Sequence, residues 1–267
     1  MKSLKELMDL QGRVALITGG AGHLGRAMAA ALAELGAAVA ILDRDAQACQ
    51  SAAAELGHAH GVTTLGLACD LASEDQVRAA PGAVLESLGR LDILINCAAF
   101  VGTSKLEGWV EPFDQQSPAT WRAALEVNLT APFVLTQACA PALTASGHGS
   151  VINIASIYGV AGPDMGLYEG TAMGNPAAYG ASKGGLIQLT RWLATVLAPR
   201  VRVNSITLGG IERGQPAVFR QRYQARTPLG RMGVEEDIKG AAAYLASDLA
   251  AYVTGHNLVV DGGWLAW

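Results

Sequence analysis

Arg13-Val14-Ala15-Leu16-Ile17-Thr18-Gly19-Gly20-Ala21-Gly22-His23-Leu24-Gly25 decides the fold. Residues 13–17 are a short apolar run closed by glycine, which predicts a buried strand. Thr18 to Gly25 is a turn, and the Ala-rich pattern after it predicts a helix to about Gly36. In that order, the glycines let backbone amides approach a pyrophosphate, and the helix N-terminus supplies partial positive charge. A tight turn without a ligand is the plainer alternative; the strand before and the helix after count against it.

The same alternation continues outward. Residues 38–43 predict a second strand with Asp43 at its C-terminal end. An acid roughly 20 residues past the glycine turn can bind both ribose hydroxyls. It would also repel a 2′-phosphate, which favours NAD; Arg44, next in sequence, could reach that phosphate and keeps NADP possible. Further strands are predicted at 64–69, ending at Asp70-Leu71, and at 91–95, ending at Asn96-Cys97-Ala98-Ala99. Others fall at 150–155, with Ser156 at the end, at 200–206, running to Leu208-Gly209-Gly210-Ile211, and at 257–260. Strands alternating with helices predict the α/β class: a doubly wound parallel sheet, Rossmann-like, with helices on both faces. Ligands of such sheets sit beyond the carboxyl ends of the strands, where Asp70 and Asn96 both fall. No repeat, linker or composition break divides the chain, so residues 1–267 are expected to form one domain.

The chemistry concentrates in Asn175-Pro176-Ala177-Ala178-Tyr179-Gly180-Ala181-Ser182-Lys183. Asn175 is a good N-cap and Pro176 a good first helical residue, so a helix to about Leu197 carries Tyr179 and Lys183 on one face. Tyrosine titrates near ~10, and a neighbouring cation favours the phenolate, making the pair a proton-transfer device. Taken alone, the spacing fits an ordinary surface helix equally well. A helix opened by Ser117-Pro118 is expected to run through Asn128 to about Leu143, bent near Pro132. Another, Ala-rich and opened by the acidic turn Glu235-Glu236-Asp237, is expected over residues 234–246. Asn128 either faces solvent, satisfied locally, or opens the helix and holds a water.

The 267 residues are 51% hydrophobic and 16% charged, enough for a large core, and the net charge of −4 leaves no footprint for nucleic acid. The apolar runs are too short for a membrane span. Residues 1–10 lack the apolar segment of a signal peptide, so the cytoplasm is the expected location. Cys49, Cys69, Cys97 and Cys139 have no metal-type spacing, and His58 and His60 are expected in a solvated turn; no metal is predicted. Segments at about 100–117, 157–174 and 211–227 are expected to be pocket insertions. Lys105, Glu107, Glu111, Asp164, Tyr168 and Glu169 could bond hydroxyls there, and Trp109 and Tyr168 could stack on a sugar face. Loop polar groups are equally often simply solvated.

Thr18-Gly19 with Gly25, Asp43, Asp70, Asn96, Asn128, Ser156, Tyr179-x-x-x-Lys183, Gly209-Gly210 and Asp261-Gly262-Gly263 occur in order over nearly the whole chain. This ordered set resembles the short-chain dehydrogenase/reductase family of the classical type. The resemblance implies that Tyr179 is the general acid/base and that Ser156 bonds the reacting oxygen. Asn128 would position a relay water. Lys183 would hold the nicotinamide ribose and, with the oxidised nicotinamide, keep the tyrosine acidic. Asp70 and Leu71 would contact the adenine and Ile211 the carboxamide. The expected cofactor set is Thr18, Gly19, Gly22, His23, Leu24, Gly25, Asp43, Arg44, Asp70, Leu71, Asn96, Ala98, Tyr179, Lys183, Gly209 and Ile211. Departures are present. His23 replaces the usual second glycine, and the T-G-x-x-G-x-x-G spacing is commoner in the extended branch, whose members handle nucleotide sugars. Ala99 replaces a glycine, Leu208 a proline, and the Ser156-to-Tyr179 interval is long. Residues 156–159, 168–171, 183–190 and 225–232 are similar to dehydrogenases of flagellin modification and surface-sugar biosynthesis.

The resemblance implies an NAD(P)-dependent oxidoreductase acting on the secondary alcohol of a sugar, polyol or nucleotide sugar. A reductase of a small keto compound and a non-catalytic dinucleotide-binding redox sensor are the alternatives. The family habit also implies a homo-oligomer, dimer or tetramer, with apolar Trp264-Leu265-Ala266-Trp267 at an interface or pocket wall.

Overall fold

The computed structural model describes residues 1–102 and 104–267; Thr103, inside the first expected insertion, lies outside the described residues. The elements run α1 (Leu4–Met8), β1 (Val14–Thr18), α2 (His23–Glu34), β2 (Ala38–Asp43), α3 (Ala46–His60), β3 (Thr64–Ala68), α4 (Glu74–Leu88) and β4 (Ile93–Asn96). They continue with α5 (Pro118–Leu125), α6 (Ala131–Ser146), β5 (Gly149–Ser156), α7 (Ala177–Leu197), β6 (Val201–Leu208), α8 (Ala217–Arg226), α9 (Lys239–Ala246) and β7 (Asn257–Val260). All seven strands form one parallel sheet in the order β3-β2-β1-β4-β5-β6-β7.

Residue alternation along the strands builds two cores. Ile17, Ile41, Ile95 and Ile152 point to the layer of α2, α3 and α9, against Met28, Leu32, Cys49 and Leu245. Leu16, Leu42, Leu94 and Val151 point to the layer of α4, α6 and α7, against Val84, Leu135, Leu143 and Leu193. Strands buried on both faces read as unbroken apolar runs, which is why the sequence shows them so clearly. The strand order reverses between β1 and β4. The crevice at that reversal, beyond the carboxyl ends, is the ligand position of open parallel sheets.

Four local expectations need correction. The helix expected from Ser117 to Leu143 is two helices joined by a π-turn at Glu126–Thr130, where the Ala131 N–H reaches the Glu126 carbonyl. The distortion precedes Pro132 because proline lacks the N–H that the Asn128 carbonyl needs in an α-helix, and its ring crowds that carbonyl. The N-cap of α7 is Pro176, not Asn175. The first orphan amide, that of Ala177, donates instead to Oε1 of Gln116 at 3.0 Å, a partner from a distant loop. His58 and His60 belong to the last turn of α3, which Gly61 ends at φ 67°, rather than to a separate turn. Residues 234–246, expected as one helix, open with a 3-10 turn at Glu235–Ile238 before α9.

Candidate active site

β1, β4, β5 and β6 deliver their C-terminal ends to one edge of the sheet, and α7 lies across β5 and β6 beside them. Gly159, just past β5, permits this approach. A Cβ there would stand 2.6 Å from the Lys183 carbonyl carbon and 2.8 Å from the Gly184 nitrogen, both α7 backbone. With the helix this close, the Lys183 ammonium reaches the Ile154 carbonyl of β5 at 2.7 Å. Ser156, Tyr179 and Lys183 then line one cavity of about 630 Å³ together with His23, Leu24, Gly209 and Ile211.

Burial sets the electrostatics here. Burial raises the Tyr179 phenol above its ordinary value, with the adjacent Ser156 hydroxyl and, more weakly, Arg213 pulling the other way. Burial also pulls the Lys183 ammonium down to about 8. Burial is the larger effect on both groups. The ammonium sits 5.9 Å from the ring centroid and points its proton at Ile154, so loss of hydration outweighs its field. Ser156 Oγ accepts the Tyr158 N–H at 3.2 Å, which leaves its own proton to donate.

Asn128 is fully buried. Its Oδ1 accepts the Phe100 N–H at 2.7 Å, and its Nδ2 donates to the Phe100 carbonyl and to Ser182 Oγ, each at 3.1 Å. Ser182 in turn donates to the Tyr179 carbonyl at 2.8 Å. The side chain thus ties the loop after β4 to the helix of Tyr179. The carbonyl of Asn128 has no amide four residues on, because that residue is Pro132.

The cofactor candidates divide into those in the cleft and those beneath it. His23, Leu24, Gly209, Ile211, Tyr179 and Lys183 line the cavity. Gly22 caps α2 without any side-chain hydrogen bond, so the first amides of that helix face no side-chain partner. A Cβ on Gly19 would stand 2.9 Å from Ala98 Cα, so the glycine turn and the loop after β4 touch at the strand-order reversal. Thr18 and Asn96 lie beneath. Thr18 Oγ1 accepts the Cys97 and Ala98 N–H groups at 3.0 and 3.2 Å. Asn96 Nδ2 donates to Asn153 Oδ1 at 2.8 Å. Both hold strand ends in register. Asp43 ends β2, its Oδ1 accepting the Arg44 N–H at 2.8 Å, with Arg44 exposed. Asp70 is exposed with Leu71 beside it, and its Oδ1 accepts the Ala72 N–H at 3.0 Å. A glycine cradle that any Cβ would fill, below an uncapped helix N-terminus, fits a dinucleotide diphosphate.

The substrate-side expectations change more. Val101 and Gly102, then Tyr158, Tyr168, Met173 and Asn175, then Gln215, Phe219 and Tyr223 line the cavity. Lys105, Glu107, Glu111, Asp164 and Glu169 do not. Asp164 pairs instead with Arg226 at 2.5 Å. Trp109 is only 2% exposed; it packs against Phe100, Ala124, Ala178 and Tyr179, with Nε1 donating to the Val101 carbonyl at 2.8 Å. It cannot stack on a ligand. The aromatic wall is Tyr168, already a candidate from the sequence, together with Tyr158, Phe219 and Tyr223, which lie in a loop and in the polar helix α8 and give no sequence signal. Their hydroxyls are engaged internally: Tyr158 with Tyr168 at 2.7 Å, and Tyr223 with the Gly210 N–H at 2.5 Å. Trp264 is buried behind this wall, stacked on Tyr223, while Trp267 is 76% exposed.

A family model described as enoyl-(acyl carrier protein) reductase matches residues 19–265. The chain is 36% identical to D-threitol dehydrogenase of Mycolicibacterium smegmatis over 261 residues, covering 96% of this chain and 94% of the relative. It superposes on a short-chain type dehydrogenase/reductase from Mycobacterium marinum with a TM-score of 0.86 at 32% identity, covering 98% and 99% of the two chains. It superposes equally, TM-score 0.86 at 32% identity over 99% and 100%, on a gluconate 5-dehydrogenase from Burkholderia cenocepacia in complex with NADP and tartrate.

Proposed function

The chain belongs to the short-chain dehydrogenase/reductase family, and from that premise we propose that it interconverts a secondary alcohol and a ketone on a sugar or polyol. The observation that carries this is one cavity walled by Ser156, Tyr179 and Lys183 at one end and by the start of α2 at the other. A bound nicotinamide dinucleotide supplies or accepts the hydride. Tyr179 gives or takes the proton of the reacting oxygen. Ser156 donates a hydrogen bond to that oxygen. Lys183 holds the ribose hydroxyls, and the Asn128 carbonyl holds the water that connects the site to solvent.

A polyhydroxylated substrate is supported by the resemblance to D-threitol and gluconate 5-dehydrogenases. The aromatic wall suits the C–H face of such a molecule, with Asn175 and Gln215 at its polar edge. The surface-sugar branch is a narrower form of the same proposal. A panel of tetritols, pentitols, hexonates, nucleotide sugars, β-ketoacyl thioesters and alicyclic ketones, run with both cofactors, tests it. Polyols or sugars are expected to lead. Turnover confined to acyl or alicyclic ketones would move the function to the small keto-compound reductase, which the matched family description and the engaged tyrosine hydroxyls favour. Dinucleotide binding with no turnover at all would indicate a redox sensor, for which a complete Ser156-Tyr179-Lys183 set has no use.

NAD is the proposed cofactor. The Asp43 carboxylate at the end of β2 would repel a 2′-phosphate, although a similar protein holds NADP. Asp43→Ser is expected to move the NADP/NAD ratio of kcat/KM by at least about tenfold toward NADP, the size of losing one like-charge contact. An unchanged ratio would show that Asp43 does not read the ribose. A homo-oligomer is part of the proposal: Trp192 and Val196 on the outer face of α7 are 52% and 54% exposed, an apolar stripe that suits burial against a second copy.

A further inference from the structure

We propose that Arg213 is the oxyanion-gripping residue of the cleft, placed to hold the diphosphate of the dinucleotide. The inference rests on the dehydrogenase function proposed above and extends it to a residue that none of the motifs singles out.

The cavity has a lopsided charge. Its wall includes Lys183 and Arg213 and, among the described residues, no aspartate or glutamate. Lys183 gives one of its three N–H groups to the Ile154 carbonyl and the others, in the function proposed above, to the ribose. Arg213 is differently placed. Its Nε donates to Glu235 Oε1 at 3.2 Å, while its two terminal nitrogens make no hydrogen bond among the described residues. A guanidinium held by Nε with both terminal N–H groups free is suited to chelate two oxygens of one anion.

The loop carrying Arg213 is held in place. Gln215 accepts the Arg213 N–H and donates to the Ile211 carbonyl, each at 2.7 Å. Ile211 bridges to Gly233, and the Glu212 N–H reaches the Gly233 carbonyl at 2.8 Å. The position is fixed relative to two landmarks. Glu235 Oε1 is also 3.8 Å from Nδ1 of His23, the first residue of α2. At the other end, Arg213 lines the same cavity as Cys97, just past β4, and Tyr179. The guanidinium therefore lies between the uncapped start of α2 and the catalytic phenol, along the path a dinucleotide must take between them. A diphosphate carries about two negative charges, and Glu235 offsets only one of the positive charges nearby.

A carboxylate on the substrate would present the same chemistry, and the test separates the two sources. Dissociation constants for NADH, ADP-ribose and AMP are measured on the full-length chain for wild type, Arg213→Ala, Arg213→Gln and Arg213→Lys. KM is measured for a neutral polyol and for a hydroxy acid. Arg213→Ala is expected to weaken NADH and ADP-ribose by about tenfold to a hundredfold, the usual effect of losing a charge-assisted pair. AMP, which lacks the second phosphate, should change far less, and Lys should restore part of the loss. Unchanged cofactor affinity with KM raised for the hydroxy acid alone would assign the grip to a substrate carboxylate. Cofactor affinity and both KM values unchanged, in variants that keep the wild-type melting temperature, would overturn the proposal. If Arg213→Ala does not fold, Arg213→Gln, which keeps a donor for Glu235, carries the same comparison. A wild-type chain that neither binds nor turns over a dinucleotide would instead overturn the proposed function.

Discussion

Tyr179→Phe is expected to lower kcat/KM by at least about 10²–10⁴-fold, the range for a positioned general acid/base. Dinucleotide affinity should stay close to wild type. The variant removes one oxygen from a half-buried ring whose packing against Trp109 and Phe100 does not depend on it. Of the other cavity hydroxyls, those of Tyr158, Tyr168 and Tyr223 are held by one another or by the Gly210 N–H, and Ser156, an unactivated serine, is no substitute at neutral pH. The pH profile gives an independent check. Burial raises the phenol above its ordinary value, so at neutral pH the residue is protonated and ready to act as an acid in ketone reduction. Alcohol oxidation needs the phenolate and should accelerate as pH climbs from neutrality into the alkaline range. The residual activity of Tyr179→Phe should lack that slope. Steady-state rates in both directions between pH 6 and pH 10, roughly the interval that leads up to the titration of a tyrosine, measure this. Wild-type-like turnover in the variant would remove Tyr179 from the proposed mechanism.

The parts of this molecule legible in the sequence are those with a short-range physical cause. Strands of a sheet covered on both faces must be apolar at every position, so residues such as Leu16-Ile17 and Leu94-Ile95 declare themselves. A glycine turn between strand and helix, and a Tyr-Lys pair one helical turn apart, are equally local. What the sequence hides is tertiary. Lys105 and Glu107 are polar loop residues like Asn175 and Gln215, yet only the latter two line the cavity, because chain tracing rather than residue type decides which way a loop faces. Trp109 reads as a candidate ligand platform until its indole N–H is seen to hold the Val101 carbonyl. Asn128 shows the same limit from the other side. Its presence in a helix is visible in the sequence, but its three partners come from Phe100 and Ser182, 28 and 54 residues away. Arg213 carries no motif at all; only its place between His23 and Tyr179 gives it meaning.

Gly25→Ala and Gly82→Ala should have effects of opposite sign, although both replace a glycine inside a helix. Alanine is favoured over glycine in a helix interior by roughly 1 kcal/mol. In α4 a Cβ on Gly82 meets nothing within 4 Å, so that preference should appear as a neutral or slightly raised melting temperature. In α2 a Cβ on Gly25 would overlap the Gly19 carbonyl oxygen and stand 2.7 Å from Gly20 Cα. Both are backbone atoms of the turn, so no side chain can rotate away to make room. Either α2 lifts from the turn or the turn opens. Each movement displaces the amides that would cradle a diphosphate and strains the contact between Gly19 and Ala98. Overpacking of this kind costs about 1–3 kcal/mol. At about 2–4 °C per kcal/mol for a chain somewhat under this length, the melting temperature should fall by roughly 2–12 °C. Dinucleotide affinity should fall by at least about a hundredfold, because a diphosphate site depends on backbone placement and has no side chain to compensate. Calorimetry or thermal shift with and without NADH measures both effects. A Gly25→Ala protein with wild-type stability and wild-type NADH affinity would mean that the turn after β1 is not the cofactor cradle.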